Sequence, residues 1–282
     1  MSKQKTRVLL TGASGKVGQR LAPLLMDSFE LKFTDAKQRP GSPEPLHVAD
    51  LTDLEQTCRI VQGVDAVVHM AIAAVRDFAG EDVGALRLTS EQQDAYGATA
   101  LKVNTNGTYN VFEASRRAGI KKVVFFSSVL TVMGQPSYLE IGPKTPPRPS
   151  NLYACTKLFG ESMGEFYSRS GMSVICLRLG QPYPGIYPWE EEDKKILKKR
   201  PMLVAIEDVA HAVECALKVQ DIPFGIYYVL SDHTVPRIDI SASEEIGYRP
   251  RMRFMDDGRV VPVEGRTAKD EGQTLTSSAT GS

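Results

Sequence analysis

Residues 7–18 read Arg-Val-Leu-Leu-Thr-Gly-Ala-Ser-Gly-Lys-Val-Gly. The first five form a short apolar run that stops at glycine, the pattern of a buried strand entering a tight turn. Glycines recur at 12, 15 and 18, while Val17, Leu21, Leu24 and Leu25 follow helical spacing over residues 17–25. In such a strand–turn–helix unit Gly12 makes the turn, Gly15 lets the backbone approach a pyrophosphate, and Gly18 allows close helix–strand packing. The helix start adds N–H groups and a positive dipole end that attract an anion. An ordinary turn can also hold three glycines; the flanking strand and amphipathic helix favour a dinucleotide loop with Ser14, Lys16 and Val17 beside the ligand.

The same rhythm continues outward from this loop. Residues 31–34 predict a second strand ending at Asp35, and 46–49 a third ending at Asp50. Residues 54–61 look helical, and 66–70 form a fourth apolar run. Residues 104–117 predict a helix, 122–128 a fifth strand, 152–170 a long helix and 173–179 a sixth strand. Alternating strands and helices imply an α/β fold, a Rossmann-type doubly wound parallel sheet with helices on both faces. Residues 75–100 interrupt the pattern and are expected to be an insertion or mobile loop that can include a short helix. Residues 136–149 are proline-rich and predict irregular structure. The expected organisation is a dinucleotide-binding domain with the catalytic residues at 1–180 and a small C-terminal substrate lobe at 181–264. Within that lobe a helix at 206–218, a strand at 226–230 and a short helical piece at 243–246 are predicted, with late elements returning to the sheet. Residues 265–282 are Ser/Thr/Gly-rich and expected to be disordered.

Two further constellations carry chemistry. Asp35 ends the second strand, where a carboxylate can accept hydrogen bonds from both adenosine ribose hydroxyls and repel a 2′-phosphate, favouring NAD over NADP. Lys16 and Lys37 lie close in sequence and work against that preference; a plain turn-capping role for Asp35 is the alternative. Asp50 and Leu51 could meet the adenine amino group and ring face. Tyr153 and Lys157 are four apart on a predicted helix and share a face. An ammonium beside a phenol favours the phenolate, which makes a base of a group that is otherwise a poor one at neutral pH. Ser128, at a strand end, could hold the reacting oxygen, so the three together suit proton transfer coupled to hydride transfer.

Composition narrows the partners. The chain has 282 residues, 42% hydrophobic, enough for one large domain or a domain plus a lobe. Lys+Arg and Asp+Glu both count 34, which gives no reason to expect a nucleic acid or an anionic membrane as partner. Cys58, Cys155, Cys176 and Cys215 lack metal-ligand spacing and suit a reducing compartment. His47 and His211 have no partner pattern, so no metal is expected. His69, at a strand end, either touches the cofactor or packs internally. With no apolar run of signal or membrane-spanning length, a cytoplasmic protein is expected.

These motifs together are similar to the extended, or epimerase/dehydratase-like, short-chain dehydrogenase/reductase family. Thr11 to Gly18 resembles its TGxxGxxG loop, and Tyr153-Ala154-Cys155-Thr156-Lys157 its YxxxK motif. Phe126-Ser127-Ser128 resembles its serine strand, and Asn104-Thr105-Asn106-Gly107-Thr108 its asparagine helix. Arg178-Leu179-Gly180 and Ile206-Glu207-Asp208-Val209-Ala210 resemble its later segments. The resemblance implies NAD contacts from Met70, Ala71, Ile72, Asn104 and Leu179 as well as from Tyr153 and Lys157. It implies Tyr153 as base, Lys157 holding ribose, Ser128 orienting substrate, and a homodimer. In size the chain resembles the uronate dehydrogenase-like branch, which oxidises a sugar acid to a lactone. That branch has polar residues after the serine; here Val129 and Leu130 follow. Ala74, Arg76, Val129, Gln181, Tyr183 and Trp189 are the candidate substrate contacts. The expected function is hydride transfer between NAD and a sugar or sugar-acid hydroxyl or carbonyl. An NAD-dependent sugar or nucleotide-sugar epimerase or dehydratase is the alternative. A non-catalytic dinucleotide-binding regulator is disfavoured by the complete set Ser128, Tyr153 and Lys157.

Overall fold

Alternate side chains of the inner strands are buried on opposite sides of one sheet. In β1 (Arg7–Thr11) Val8 and Leu10 join one apolar cluster and Leu9 another. After β2 (Glu30–Asp35) and β3 (Leu46–Val48) the pattern repeats in β4 (Ala66–His69), β5 (Lys122–Ser128) and β6 (Ser173–Leu179). Val68, Val124 and Ile175 take the first side; Val67, Val123 and Val174 take the second. Burial on both faces is what makes these strands continuous apolar runs. The computed structural model describes residues 4–73, 77, 89–183, 202–233, 237–255 and 259–265.

Beyond β6 come β7 (Gln181–Tyr183), β8 (Leu203–Ala205) and β9 (Phe224–Val229). The central sheet has seven strands in the order β3-β2-β1-β4-β5-β6-β9. Every pairing in it is parallel. The order reverses between β1 and β4, so their carboxyl ends flank the crevice where sheets of this kind bind ligands. Helix α1 (Lys16–Leu25) packs on the first side through Leu21, Ala22 and Leu25. Helix α2 (Leu54–Ile60), started by an Asp53 cap, packs on the second through Ile60.

A twelve-residue helix, α3 (Ser90–Leu101), occupies much of the stretch expected to be an insertion. A capping box starts it: the Thr89 hydroxyl accepts from Gln92 N, and the Gln92 side chain accepts from Thr89 N. Ala100 is its one buried residue, so the helix lacks the apolar stripe that reveals a helix in sequence. It runs through a π-helical turn, Lys102–Gly107, into α4 (Thr108–Arg117). The helix predicted from 104 therefore continues one begun at 90. Residues 75, 76 and 78–88 of the expected insertion and 266–282 of the expected tail lie outside the described residues.

Helices α5 (Leu152–Ser168) and α6 (Ile206–Lys218) complete the two layers. The pieces after β6 are short. β7 pairs with β8, while β10 (Asp232–His233), β11 (Met252–Phe254) and β12 (Val260–Pro262) form a second small sheet. A 3₁₀ turn at Ser241–Ile246 covers the helical piece predicted at 243–246. Asp208, in the first turn of α6, ties these pieces together. Its carboxylate accepts from the Ser231 hydroxyl, from Arg251 N (2.7 Å) and from Met252 N (3.3 Å).

A buried polar chain links β1, β4 and α4. The Thr11 hydroxyl accepts from Met70 N (3.1 Å) and Ala71 N (3.3 Å), which fills both lone pairs, so its own proton goes to His69 Nδ1 at 2.7 Å. His69 Nε2–H then donates to the Thr108 hydroxyl at 3.0 Å, and Thr108 donates to the Asn104 carbonyl at 2.7 Å. The partners thus assign the tautomer. Burial, with a smaller push from the Lys157 ammonium, holds His69 down to about 3.

The unfolded chain therefore binds a proton that the fold refuses between pH 6.5 and about 3. Stability contributed by neutral His69 is present above 6.5 and is lost as pH falls, by at most about 1.4 kcal/mol per pH unit. Burial raises Asp208 to about 6 against its three donors, which titrates in the opposite sense and cancels in a comparison of two proteins. Urea unfolding should show His69→Gln less stable than wild type at pH 7. That gap should narrow as the pH falls below 6.5; a constant gap would mean that the imidazole is not held neutral. A second measurement concerns α5, where a Cβ on Gly160 would lie 2.2 Å from the Phe125 ring. Gly160→Ala should lower unfolding free energy by about 1–3 kcal/mol through overpacking.

Candidate active site

The glycine loop lies against the chain that leaves β4. Gly12 has φ +72°, and a Cβ there would sit 2.8 Å from Ala71 Cα, at the end of β4. At Gly18 a Cβ would meet the Ala13 carbonyl at 2.6 Å, so α1 starts as close to β1 as a helix can. The N-cap residue, Gly15, offers no side chain to cap α1, so the first turn, with Lys16 and Val17, keeps its anion-attracting character. Ser14 is buried and spends both polar groups on the protein: its amide donates to Asp35 Oδ2 (3.0 Å) and its hydroxyl to the Lys37 carbonyl (2.8 Å). Asp35 is thereby placed against the loop at the end of β2. Asp50 uses Oδ1 to accept from Thr52 N (2.8 Å), and Leu51 packs in the apolar layer with α2 and α4. Past β4, Met70 is buried, Ala71 half-buried and Ile72 exposed.

Ser128, Tyr153 and Lys157 lie at the same end of the sheet. Ser128 closes β5, and its Oγ accepts from Leu130 N at 3.2 Å. The chain before Tyr153 runs beside the turn after Ser128: Arg148 N donates to the Thr131 carbonyl (2.9 Å) and Ser150 N to the Leu130 carbonyl (3.1 Å). Asn151 caps α5 by accepting from Ala154 N (2.9 Å), which sets Tyr153 in the first turn. Lys157, one turn on, is only 3% exposed. Its ammonium lies 4.9 Å from the Phe125 ring centroid and 5.5 Å from that of Tyr153. Gly160 is what lets the Phe125 ring come so close. Burial pushes Lys157 down to about 7, while a Cys176 thiolate and Glu161 draw it up. Burial also holds the Cys176 thiol well above its usual range, so Glu161 is the standing anion.

Asn104 joins the two halves. It sits in the π turn, a device that often marks functional sites. Its Oδ1 accepts from Ala73 N at 2.8 Å, on the chain leaving β4. Its Nδ2 donates to the Thr156 hydroxyl at 3.2 Å, and that hydroxyl donates to the Tyr153 carbonyl at 2.8 Å. Beneath lies a buried ion pair. Arg178 donates to both Glu161 oxygens at 2.8 Å and to the Tyr228 hydroxyl at 2.9 Å, and the Ser127 hydroxyl also donates to Glu161. Arg178, whose position at the end of β6 suggests a pocket residue, is a strut of the interior.

The substrate-side expectations fare differently. Val129 is 2% exposed and packs with Val132, Ile141, Tyr228, Leu230 and Ile238. The 3₁₀ turn that starts there directs it into the core, so it is a packing residue and not a pocket wall. Gln181 and Tyr183 are half-buried on β7, with the Tyr183 ring edge-on to Phe254 at 5.4 Å. Leu179 is buried at the end of β6. Ala74, Arg76 and Trp189 lie outside the described residues. Sequence reasoning assigned no role to Thr11, Thr156 or Glu161. The spacing 153, 157, 161 on one helix face was the available signal for Glu161.

Residues 8–199 match the model of the NAD dependent epimerase/dehydratase family. Uronate dehydrogenase from Pseudomonas syringae pv. tomato is 29% identical over 92% of this chain and 88% of its own. NAD-dependent glucose-6-phosphate dehydrogenase from Haloferax volcanii is 27% identical over 86% of this chain and 92% of its own. The crystal structure of a glucuronic acid dehydrogenase from Chromohalobacter salexigens shares the fold, with a TM-score of 0.72 at 22% identity over 99% of this chain and 91% of that one. Match length, glycine loop and strand order agree, and the chain belongs to the NAD dependent epimerase/dehydratase family.

Proposed function

We propose that this protein oxidises or reduces a sugar or sugar acid at a hydroxyl or carbonyl carbon with NAD. The observation that carries this reading is the buried Lys157 ammonium one helical turn from Tyr153. Among the described residues no carboxylate lies within ion-pair distance of it. The donor set fits NAD: an uncapped helix start for the pyrophosphate, Asp35 for the adenosine ribose and Lys157 for the nicotinamide ribose. When bound, NAD supplies the hydride acceptor or donor.

The chain's own residues handle the proton. Tyr153 Oη takes the hydroxyl proton of an alcohol substrate, or returns it to a carbonyl oxygen in the reverse direction. Ser128 Oγ, accepting from Leu130 N, keeps its own proton for the substrate oxygen and holds it beside Tyr153. Asn104 and Thr156 fix the first turn of α5, so the phenol and the ammonium keep their relation. Residues 1–180 carry the cofactor and the proton-transfer groups, and 181–264 form the substrate-binding lobe, with Gln181 and Tyr183 following directly on β6. The protein works in the cytoplasm as a homodimer. The family takes its name from epimerases and dehydratases, so an epimerase or dehydratase outcome is the second reading.

An absorbance screen for NADH across uronates, aldoses and polyols tests the first reading. Net NADH with one class supports a dehydrogenase, whereas product without net NADH moves the assignment to the second. Tyr153→Phe should keep NAD affinity within about threefold and lose on the order of 10²–10⁴ in kcat. Lys157→Met, which fits the buried site, should weaken NAD about 10–100-fold by calorimetry. Unchanged turnover in Tyr153→Phe would remove the phenol from the mechanism.

A further inference from the structure

The segment after Asp35 carries two cations at the rim of the adenosine site. Lys37 and Arg39 follow Asp35 by two and four residues. Their backbone is tied to the glycine loop: Ser14 Oγ donates to the Lys37 carbonyl, and Gln19 Nε2 donates to both the Ser14 and Pro40 carbonyls (2.9 and 3.0 Å). Arg39 N is further held by the Ser42 hydroxyl at 2.9 Å. Such cations beside an adenosine ribose are the residue types that bind a 2′-phosphate, Arg by a two-pronged fork and Lys as a point charge. On their own they would offset the carboxylate of Asp35 and draw NADP.

Both are already engaged. Asp77, from the chain beyond β4, accepts from Arg39 Nη1 and Nη2 at 3.0 Å each, and its Oδ1 lies 2.8 Å from Lys37 Nζ. The guanidinium fork is thus spent on one carboxylate, and the Arg39 side chain is 16% exposed against 52% for Lys37. Partial burial disfavours the Asp77 charge, but the bonds from Arg39 and Lys37 outweigh it and hold the carboxyl below its usual range. With Asp77 the cluster carries one net positive charge; without it, two.

We propose that Asp77 is a specificity-determining residue for the cofactor. By occupying Arg39 and Lys37 it denies them to an adenosine 2′-phosphate, so exclusion of NADP rests on Asp77 together with Asp35. This inference rests on the placement of the adenosine ribose beside Asp35.

Calorimetric binding of NAD and NADP to the full chain tests this without a substrate. In Asp77→Asn the ratio of NADP to NAD affinity should rise by about tenfold or more, the worth of a charge-assisted hydrogen bond to phosphate. Asp77→Asn combined with Arg39→Ala and Lys37→Ala should return the ratio to near wild type. A ratio unchanged in Asp77→Asn, with NAD affinity lowered in Asp35→Ala, overturns the role of Asp77 alone. NAD affinity unchanged in Asp35→Ala overturns the adenosine placement and this inference with it. A ratio that rises in Asp77→Asn and stays raised when Arg39 and Lys37 are both removed overturns it too, because the gain would then come from neither released cation.

Discussion

The carboxyl end of the sheet is organised by a single line of hydrogen bonds running from Thr11 through His69 and Thr108 to Asn104. Its direction is set at Thr11, whose hydroxyl receives two backbone amides and must therefore give its proton to the imidazole. Only a neutral imidazole can accept on one nitrogen and donate on the other. The burial that keeps His69 uncharged thus also gives the line its polarity. From Asn104 the line branches to Ala73 and to Thr156, which places the chain leaving β4 and the first turn of α5 in one frame. The glycine loop, the β4 edge and the Tyr153–Lys157 pair are three parts of that frame.

A second buried layer sits under it. The Glu161–Arg178 pair costs desolvation energy that its attraction only partly offsets, so it is weak support for stability. Its geometry does something else. The pair fills the space between β5, β6 and α5 with groups whose hydrogen bonds are directional, and Ser127 and Tyr228 satisfy two more of them. Lys157 then titrates against a fixed neighbour rather than a wandering one.

Local features were legible in sequence, and long-range ones were not. The loop at 12–18, the strand ends at Asp35 and Ser128, and the four-residue step from Tyr153 to Lys157 all depend on neighbours along the chain. Helix α3 escaped because with one buried residue it needs no apolar stripe. The small strands β7, β8 and β10–β12 span two or three residues each, too few for a period to register. Val129 was misplaced because a strand-end residue next to Ser128 reads as pocket lining, whereas the 3₁₀ turn rotates it inward. Asp77 lies 38 residues from Arg39, and nothing along the chain pairs them.

The π turn at Lys102–Gly107 bears on how this helix tolerates change. A π turn holds about one residue more than the α turn it replaces, and each residue of an α-helix advances the axis by roughly 100°. The surplus residue is absorbed where Asn104 is held by Ala73 and Thr156, so α4 stays in register with the sheet. Removing one residue there would leave Thr108–Arg117 in place and swing Ser90–Leu101 about a quarter-turn around its axis. Seven of the twelve residues of α3 are exposed, so that rotation would move mostly solvent-facing side chains. A length change of one in this turn is therefore a means of re-aiming the outer helix without disturbing the inner one.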